Sequence, residues 1–95
     1  SSDAEIYRLR GELLGMQGAA PSEVETHYRQ AIQVARQKEA KSWELRATTS
    51  LARLWQKQGR TEKARQELGD VYAWFTEGFD TPDLKEAQAL LYELA

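Results

Sequence analysis

The chain contains no cysteine. Disulfide staples and thiolate zinc sites are therefore excluded. Histidine occurs once, as His27. A lone histidine without cysteine supplies too few ligands for a zinc site. Apolar runs extend only a few residues, far short of the ~20 that a bilayer-spanning helix requires. The first residues carry no signal-peptide pattern. Neither sign of charge stands out: 13 Lys and Arg intermix with 15 Asp and Glu, for a net charge of −2. Such a surface does not invite polyanions or anionic membranes. The expectations are a cytoplasmic setting, no cofactor, no metal, no nucleic acid and no membrane. The chain opens Ser1-Ser2-Asp3 without an initiator methionine, so a segment of a longer protein is expected.

Ninety-five residues suit one domain. Such a chain buries roughly 60–70% of its unfolded surface, which gives a thin core. A hydrophobic fraction of 41% with 29% charged residues fits a helical array with much surface.

Helical periodicity runs nearly throughout. Ile6, Leu9, Leu13 and Met16 step by three, four and three, which predicts a first helix over 3–17 capped by Asp3. Gly18-Ala19-Ala20-Pro21 breaks it. Ser22 with Glu25 has the form of a capping box, and Pro21 at the first helical position is the alternative start. Val24, Tyr28, Ala31 and Ala35 give a stripe for a second helix over 22–38, with Ile32 beside it. The apolar phase then shifts without Gly or Pro, which places a tight corner near 39–41. Trp43, Ala47, Leu51, Leu54 and Trp55 mark a third helix over 42–58, ended by Gly59. Thr61 caps a fourth over 61–77, with Ala64, Leu68, Val71 and Phe75 as its stripe. Gly78 is placed at its C′ position, so that Phe79 folds back on Trp74 in a Schellman contact. Thr81-Pro82 opens a fifth helix over 82–94, with Leu84, Ala87, Leu91 and Leu94 on one face.

The third and fourth helices carry a packing pattern. Leu51 and Ala52 are followed by Trp55, Gly59, Ala64, Leu68 and Val71. Small residues at 52 and 64 let two antiparallel helices approach, Trp55 and Leu68 fill the space around them, and Gly59 turns the chain. This resembles the tetratricopeptide repeat. Val71 is bulkier than the last small residue of that pattern. The first pair repeats the scheme with Gly11 at the small position, Leu14 at the large one, and Val24, Tyr28 and Ala31 opposite. The expected fold class is all-α: an antiparallel helix-pair, tetratricopeptide-like superhelix in one domain. It has a repeat over 3–38, a second over 42–77 and a capping helix over 81–95.

The stretch WFTEGFDTPDLKEAQALLYEL, residues 74–94, closely resembles the C-terminal end of large bacterial multidomain proteins. In these, an adenylate/guanylate cyclase or DNA-binding domain is followed by an AAA-type ATPase and then by tetratricopeptide-like repeats. YRLRGELL (7–14), YRQAIQVAR (28–36) and SWELRATTSLARLW (42–55) look like earlier helices of the same family. The resemblance implies a C-terminal repeat segment and carries over no catalytic residue. There is no Gly-rich phosphate loop with a Lys-Ser/Thr pair, and no paired aspartates on a strand-rich scaffold.

No constellation for chemistry stands out. His27 reads as an edge-packed histidine. The hydroxyls of Thr48, Thr49 and Ser50 fall mid-helix, where they bond back to carbonyls. The carboxylates scatter over separate turns. Trp43, Trp55 and Trp74 read as packing residues rather than stacking platforms for bases. One polar face is a candidate site. Ser42, Arg46, Thr49, Arg53 and Gln56 lie opposite Leu51 on the third helix, and Arg8 and Glu12 match them on the first. In tetratricopeptide arrays, that face lines the concave surface and binds ligands. The expected function is a non-catalytic protein–protein or interdomain interaction module of a larger bacterial signalling regulator. Its partner is a protein, a peptide or upstream domains of the same chain, with a homodimer also open. The alternatives are a fragment of a nucleotide cyclase without its catalytic domain and a nucleic-acid-binding helical domain. Arg46→Glu with Arg53→Glu is expected to weaken binding and leave stability nearly unchanged.

Overall fold

The structure is a computed structural model that describes residues 2–95. It is all-helical, with no strand among the described residues. Its helices are α1 (Ser2–Met16), α2 (Pro21–Gln37), α3 (Lys41–Lys57), α4 (Thr61–Tyr72) and α5 (Pro82–Leu94).

Three corners share one construction. At each, a residue in the left-handed region sits at C′: Gly18, Glu39 and Gly59 have φ of 81°, 53° and 76°. The next amide then reaches back to the carbonyl five residues earlier: Ala19 to Leu14, Ala40 to Ala35, Arg60 to Trp55. The C′ amides of Gly18, Glu39 and Gly59 bond to Gly15, Arg36 and Gln56. This is the Schellman pattern. The corner near 39–41 thus uses the same device as its neighbours without glycine. A left-handed non-glycine costs roughly 1–2 kcal/mol. Glu39→Gly is therefore expected to stabilise the chain by about 0.5–1 kcal/mol, read as a raised urea midpoint with unchanged slope.

Short corners make consecutive helices antiparallel, and side-chain contacts fix the register. Gly15 lies over Val24 and Gly11 over Tyr28. A methyl group added at Gly11 would stand 2.7 Å from the Tyr28 ring, so glycine is what lets α1 close on α2. Trp55 at the end of α3 meets Glu25 near the start of α2, and Glu44 near its start meets Arg36 at the other end. α3 also packs beside α1 and α5, and α5 covers α3 and α4. The helices α1, α3 and α5 form one layer, with α2 and α4 behind it. A least extent of 19 Å fits two helix layers.

The expected core of the second pair is in place: Leu51, Ala52, Trp55, Ala64, Leu68 and Val71 are all buried. So are Val24, Tyr28, Ala31, Ile32 and Ala35. One open alternative is resolved and four expectations need correction. Pro21 stands at the first helical position after Ala20, and Ser22 makes no cap; Glu25, its would-be partner, is drawn off by Trp55. The stripe Ile6, Leu9, Leu13 and Met16 faces outward, because α1 packs inward through Ala4 and Gly11 with Tyr7 and Leu14 beside them. α4 ends at Tyr72 rather than near 77. Its last amides tighten to i−3 bonds, Trp74 to Val71 and Phe75 to Tyr72, and the chain leaves the helix so that Phe79 folds onto the Tyr72 ring, 5.9 Å between centroids. Gly78 does adopt positive φ, but in a turn closed by Thr81, and Trp74 is exposed rather than packed. On α5, Leu90 is the fully buried leucine and Leu91 only half-buried.

Candidate functional site

The faces of α1, α3 and α5 that carry polar residues point the same way. Side-chain bonds run between them in parallel register. Arg46 is central. It donates through Nη1 to Glu5 Oε1 on α1 at 3.0 Å, and through Nε and Nη2 to the two oxygens of Asp83 on α5 at 3.2 and 2.9 Å. Its guanidinium also lies 5.0 Å from the centroid of the Trp43 ring, which is half-buried. Arg8 forks onto Glu5 at 2.7 and 2.8 Å and reaches Glu12 at 3.4 Å. Ser50 Oγ donates to Glu12 at 2.8 Å. Further along, Arg53 meets Glu86 at 3.2 Å and Gln56 donates to Glu93 at 2.9 Å.

Between these helices lies a polar pocket of about 200 Å³ lined by Arg8, Glu12, Arg46, Thr49, Arg53 and the α5 carboxylates Asp83 and Glu86, with Ser50 at its floor. Five of the residues singled out in the sequence meet there. Ser42 is exposed at the start of α3, and Gln56 lies a turn beyond Arg53 against Glu93; neither lines this pocket. Thr49 is buried, with its hydroxyl given to the Leu45 carbonyl at 2.8 Å. It shapes the wall and has no free donor. A second pocket of about 320 Å³ adjoins the first and shares Glu12, Ser50 and Arg53 with it. Its walls are mixed: Met16, Ala19, Val24, Tyr28 and Leu54 stand with the charged Glu12, Arg53 and Lys57. Together the two pockets make a groove along α3, ionic at one end and of mixed apolar and charged lining at the other.

Sequence reasoning missed Ser50, Asp83 and Glu86. By sequence the Ser50 hydroxyl belongs to its own helix and Asp83 to a solvated turn, and nothing singles out Glu86. Asp83 and Glu86 do sit one turn apart on α5, like Arg46 and Arg53 two turns apart on α3, and that opposition of sign was the available signal. Arg46 and Arg53 are both ion-paired within the chain, which bears on the expectation that their double substitution by Glu leaves stability nearly unchanged. Arg46→Glu would set a third carboxylate between Glu5 and Asp83 and is expected to destabilise.

The Arg8 hydrogen bond holds the Glu5 carboxyl below its ordinary 4.5, with burial opposing and Arg46 assisting. A lowered folded value means that this stabilisation is complete above about pH 4.5 and is lost as pH falls through the folded value. Glu5→Gln should therefore melt below the parent at neutral pH, with the gap closing as the medium is acidified below that point. A gap independent of pH would show that the carboxylate charge contributes nothing. Burial, with Glu12 nearby, pushes the Tyr28 phenol far above its ordinary value, so it stays neutral.

His27 Nδ1 lies 3.0 Å from the Glu23 carbonyl in its own helix. Thr48 Oγ1 is buried without a hydrogen-bond partner among the described residues. Among the described residues, no three His, Cys, Asp or Glu side chains gather for a metal ion. No described helix is long and apolar enough to cross a membrane. Comparison with profiles of known protein families, with characterised proteins and with solved structures returned no match for this chain.

Proposed function

We propose that the chain is a non-catalytic interaction module, a tetratricopeptide-like unit of two helix pairs and a capping helix, within a larger bacterial signalling regulator. Its groove binds an extended segment of a partner protein or of a neighbouring domain. One observation carries this reading: the two adjoining pockets along α3 join a recess holding Met16, Val24 and Leu54 to one lined by Arg8, Arg46 and Arg53. An extended peptide fits that sequence of surfaces with an apolar side chain beside Leu54 and Val24 and a carboxylate next to it. An arginine takes a peptide carboxylate as readily as a side-chain one, so a peptide acid can replace Glu86 on Arg53 while the exposed Glu86 carboxylate turns to water. The Arg53–Glu86 pair is exposed on both sides and contributes only about 0–1 kcal/mol to folding. It is therefore the member of the network that a ligand displaces most readily.

Peptides selected from a random display library against the intact chain test the reading by heteronuclear NMR titration. Shifts are expected at Ser50, Arg53, Leu54 and Lys57. Arg53→Gln should lower affinity by about tenfold, near 1.4 kcal/mol, with the melting temperature held within a degree or two. Binding mapped to the backs of α2 and α4, or undiminished by Arg53→Gln, would defeat the proposal.

A further inference from the structure

α1 carries the largest apolar surface left open. Ile6, Leu9, Leu13 and Met16 are 46, 51, 53 and 84% exposed. Single exposed leucines are ordinary, but four in line on one helix face are a contiguous patch of the kind that marks contact sites. Spacing of three, four and three is that of a seam against another helix.

The chain itself shows what such a seam takes. On α5, Leu84, Ala87, Leu91 and Leu94 repeat the same spacing. There the stripe is covered: Leu84, Ala87 and Leu94 are buried and Leu91 packs on the core, against α3 and α4. α3 gives a second comparison. With Gly11 set on Ala52, the positions matching Ile6, Leu9, Leu13 and Met16 are Ala47, Ser50, Leu54 and Lys57, and only Lys57 is exposed. Ala47 and Ser50 are buried and Leu54 packs on the core, and Ser50 bonds to Glu12 of the preceding pair. So α3 and α5 each turn this face toward the helix pair before them. α1 has the same face, more apolar than that of α3, and nothing on it.

We propose that the outer face of α1 is a stacking surface for a further antiparallel helix pair of the α3–α4 kind, set ahead of α1 as α3–α4 is set ahead of α5. The partner's chemistry follows from the interface that α5 already makes. It is an apolar groove between two helices. Glu5 stands on α1 where Asp83 stands on α5, but Arg8 and Arg46 already hold it, so the apolar stripe alone defines the contact. The outer side of α5 makes the contrast. Lys85 and Gln88 are exposed there with Ala89 and Tyr92, so no line of four large apolar side chains stands open on that side.

The test extends the full chain by a second copy of residues 41–81 placed directly ahead of α1, so that α1 follows it as α5 follows the first. In a stacked array each added interface raises stability. The extended chain should unfold at a higher urea midpoint than the parent. A thiol introduced by Leu13→Cys should be labelled at least about tenfold more slowly in the extended chain than in the parent, as expected for a site exposed only by local opening. Leu9→Lys with Leu13→Lys should abolish the gain while leaving the parent's midpoint unchanged, because those side chains are open in the parent. An unchanged midpoint with full labelling in the extended chain overturns the proposal. So does concentration-dependent dimerisation of the parent that the lysine pair abolishes, since the occupant would then be a second copy of α1.

Discussion

Trp55→Ala is expected to lower the free energy of unfolding by about 3–5 kcal/mol, the usual cost of removing a buried tryptophan. A domain of this size has about 5–15 kcal/mol in total, so the variant approaches the unfolding threshold at physiological temperature. Trp55 has no exposed surface. Its Nε1 donates to Glu25 at 3.2 Å. Lys63, Arg29 and Arg60 lie 4.8, 5.0 and 5.3 Å from the ring centroid. Glu25 also stands 3.7 Å from Arg60 and 3.9 Å from Arg29, and Arg29 reaches on to Glu67. One indole therefore joins α2, α3 and the start of α4. Its loss opens a cavity at the point where both helix pairs meet and leaves three cations facing it. Trp55→Phe keeps most of the apolar area and gives up the N–H, so a cost of about 1–2 kcal/mol is expected. Urea denaturation of both variants decides between ring and hydrogen bond. An alanine variant with the parental midpoint would mean that Trp55 does not hold the two helix pairs together.

That residue was legible in the sequence, and the reason is instructive. Ala52, Trp55, Gly59, Ala64 and Leu68 interact over one helical corner, so their spacing along the chain is their geometry in space. The corners at Gly18 and Gly59 were legible for the same reason. Glu39 carries no such mark. Its backbone is left-handed and Arg36 bonds to Glu44 at 2.6 Å across the corner, but no turn residue announces it. The outward stripe of α1 was misleading because periodicity identifies an apolar face without saying what covers it. The true inner face of α1 is built from Ala4 and Gly11, too small to register as apolar signal and chosen because the Tyr28 ring lies against Gly11.

The candidate groove divides along the same line. The polar residues of α3 share a face by the 100° step of the helix, and Arg46, Thr49 and Arg53 do meet there with Arg8 and Glu12. Their partners come from helices more than thirty residues away: Glu5 and Asp83 for Arg46, Glu86 for Arg53. Lateral packing of α1 and α5 on α3 decides those pairs, and a single chain read in order contains no measure of it. The end of α4 belongs to this class as well. Trp74, Phe75 and Phe79 continue an apolar rhythm past Tyr72, but Phe79 is satisfied by contact with Tyr72 across a bend, which a helix running to residue 77 would forbid.

Removing α5 should have the largest effect of all. Truncation after Gly78 takes away Leu84, Ala87, Leu90 and Leu94, each buried to 4% exposure or less, and uncovers the parts of α3 and α4 beneath them. At roughly 1.5–3 kcal/mol for each leucine side chain fully buried, that exceeds what a small domain has to spare. The ionic layer is lost with it. Arg46 keeps Glu5 but loses both bonds to Asp83, and Arg53 loses Glu86. The truncated chain is expected to aggregate or to pair through the exposed face, seen as concentration-dependent light scattering and a collapsed denaturation midpoint. Single substitutions locate the effect within the helix. Leu90→Ala should cost about 2–5 kcal/mol, because Leu90 has no exposed surface. Leu91→Ala should cost less, because that side chain is only half-buried at the edge of the interface. Equal costs at the two positions would mean that α5 sits rotated about its axis relative to this packing. A soluble, monomeric truncation with the parental midpoint would mean that α5 is a tail, and that the bend from Ala73 to Thr81 leads nowhere the core needs.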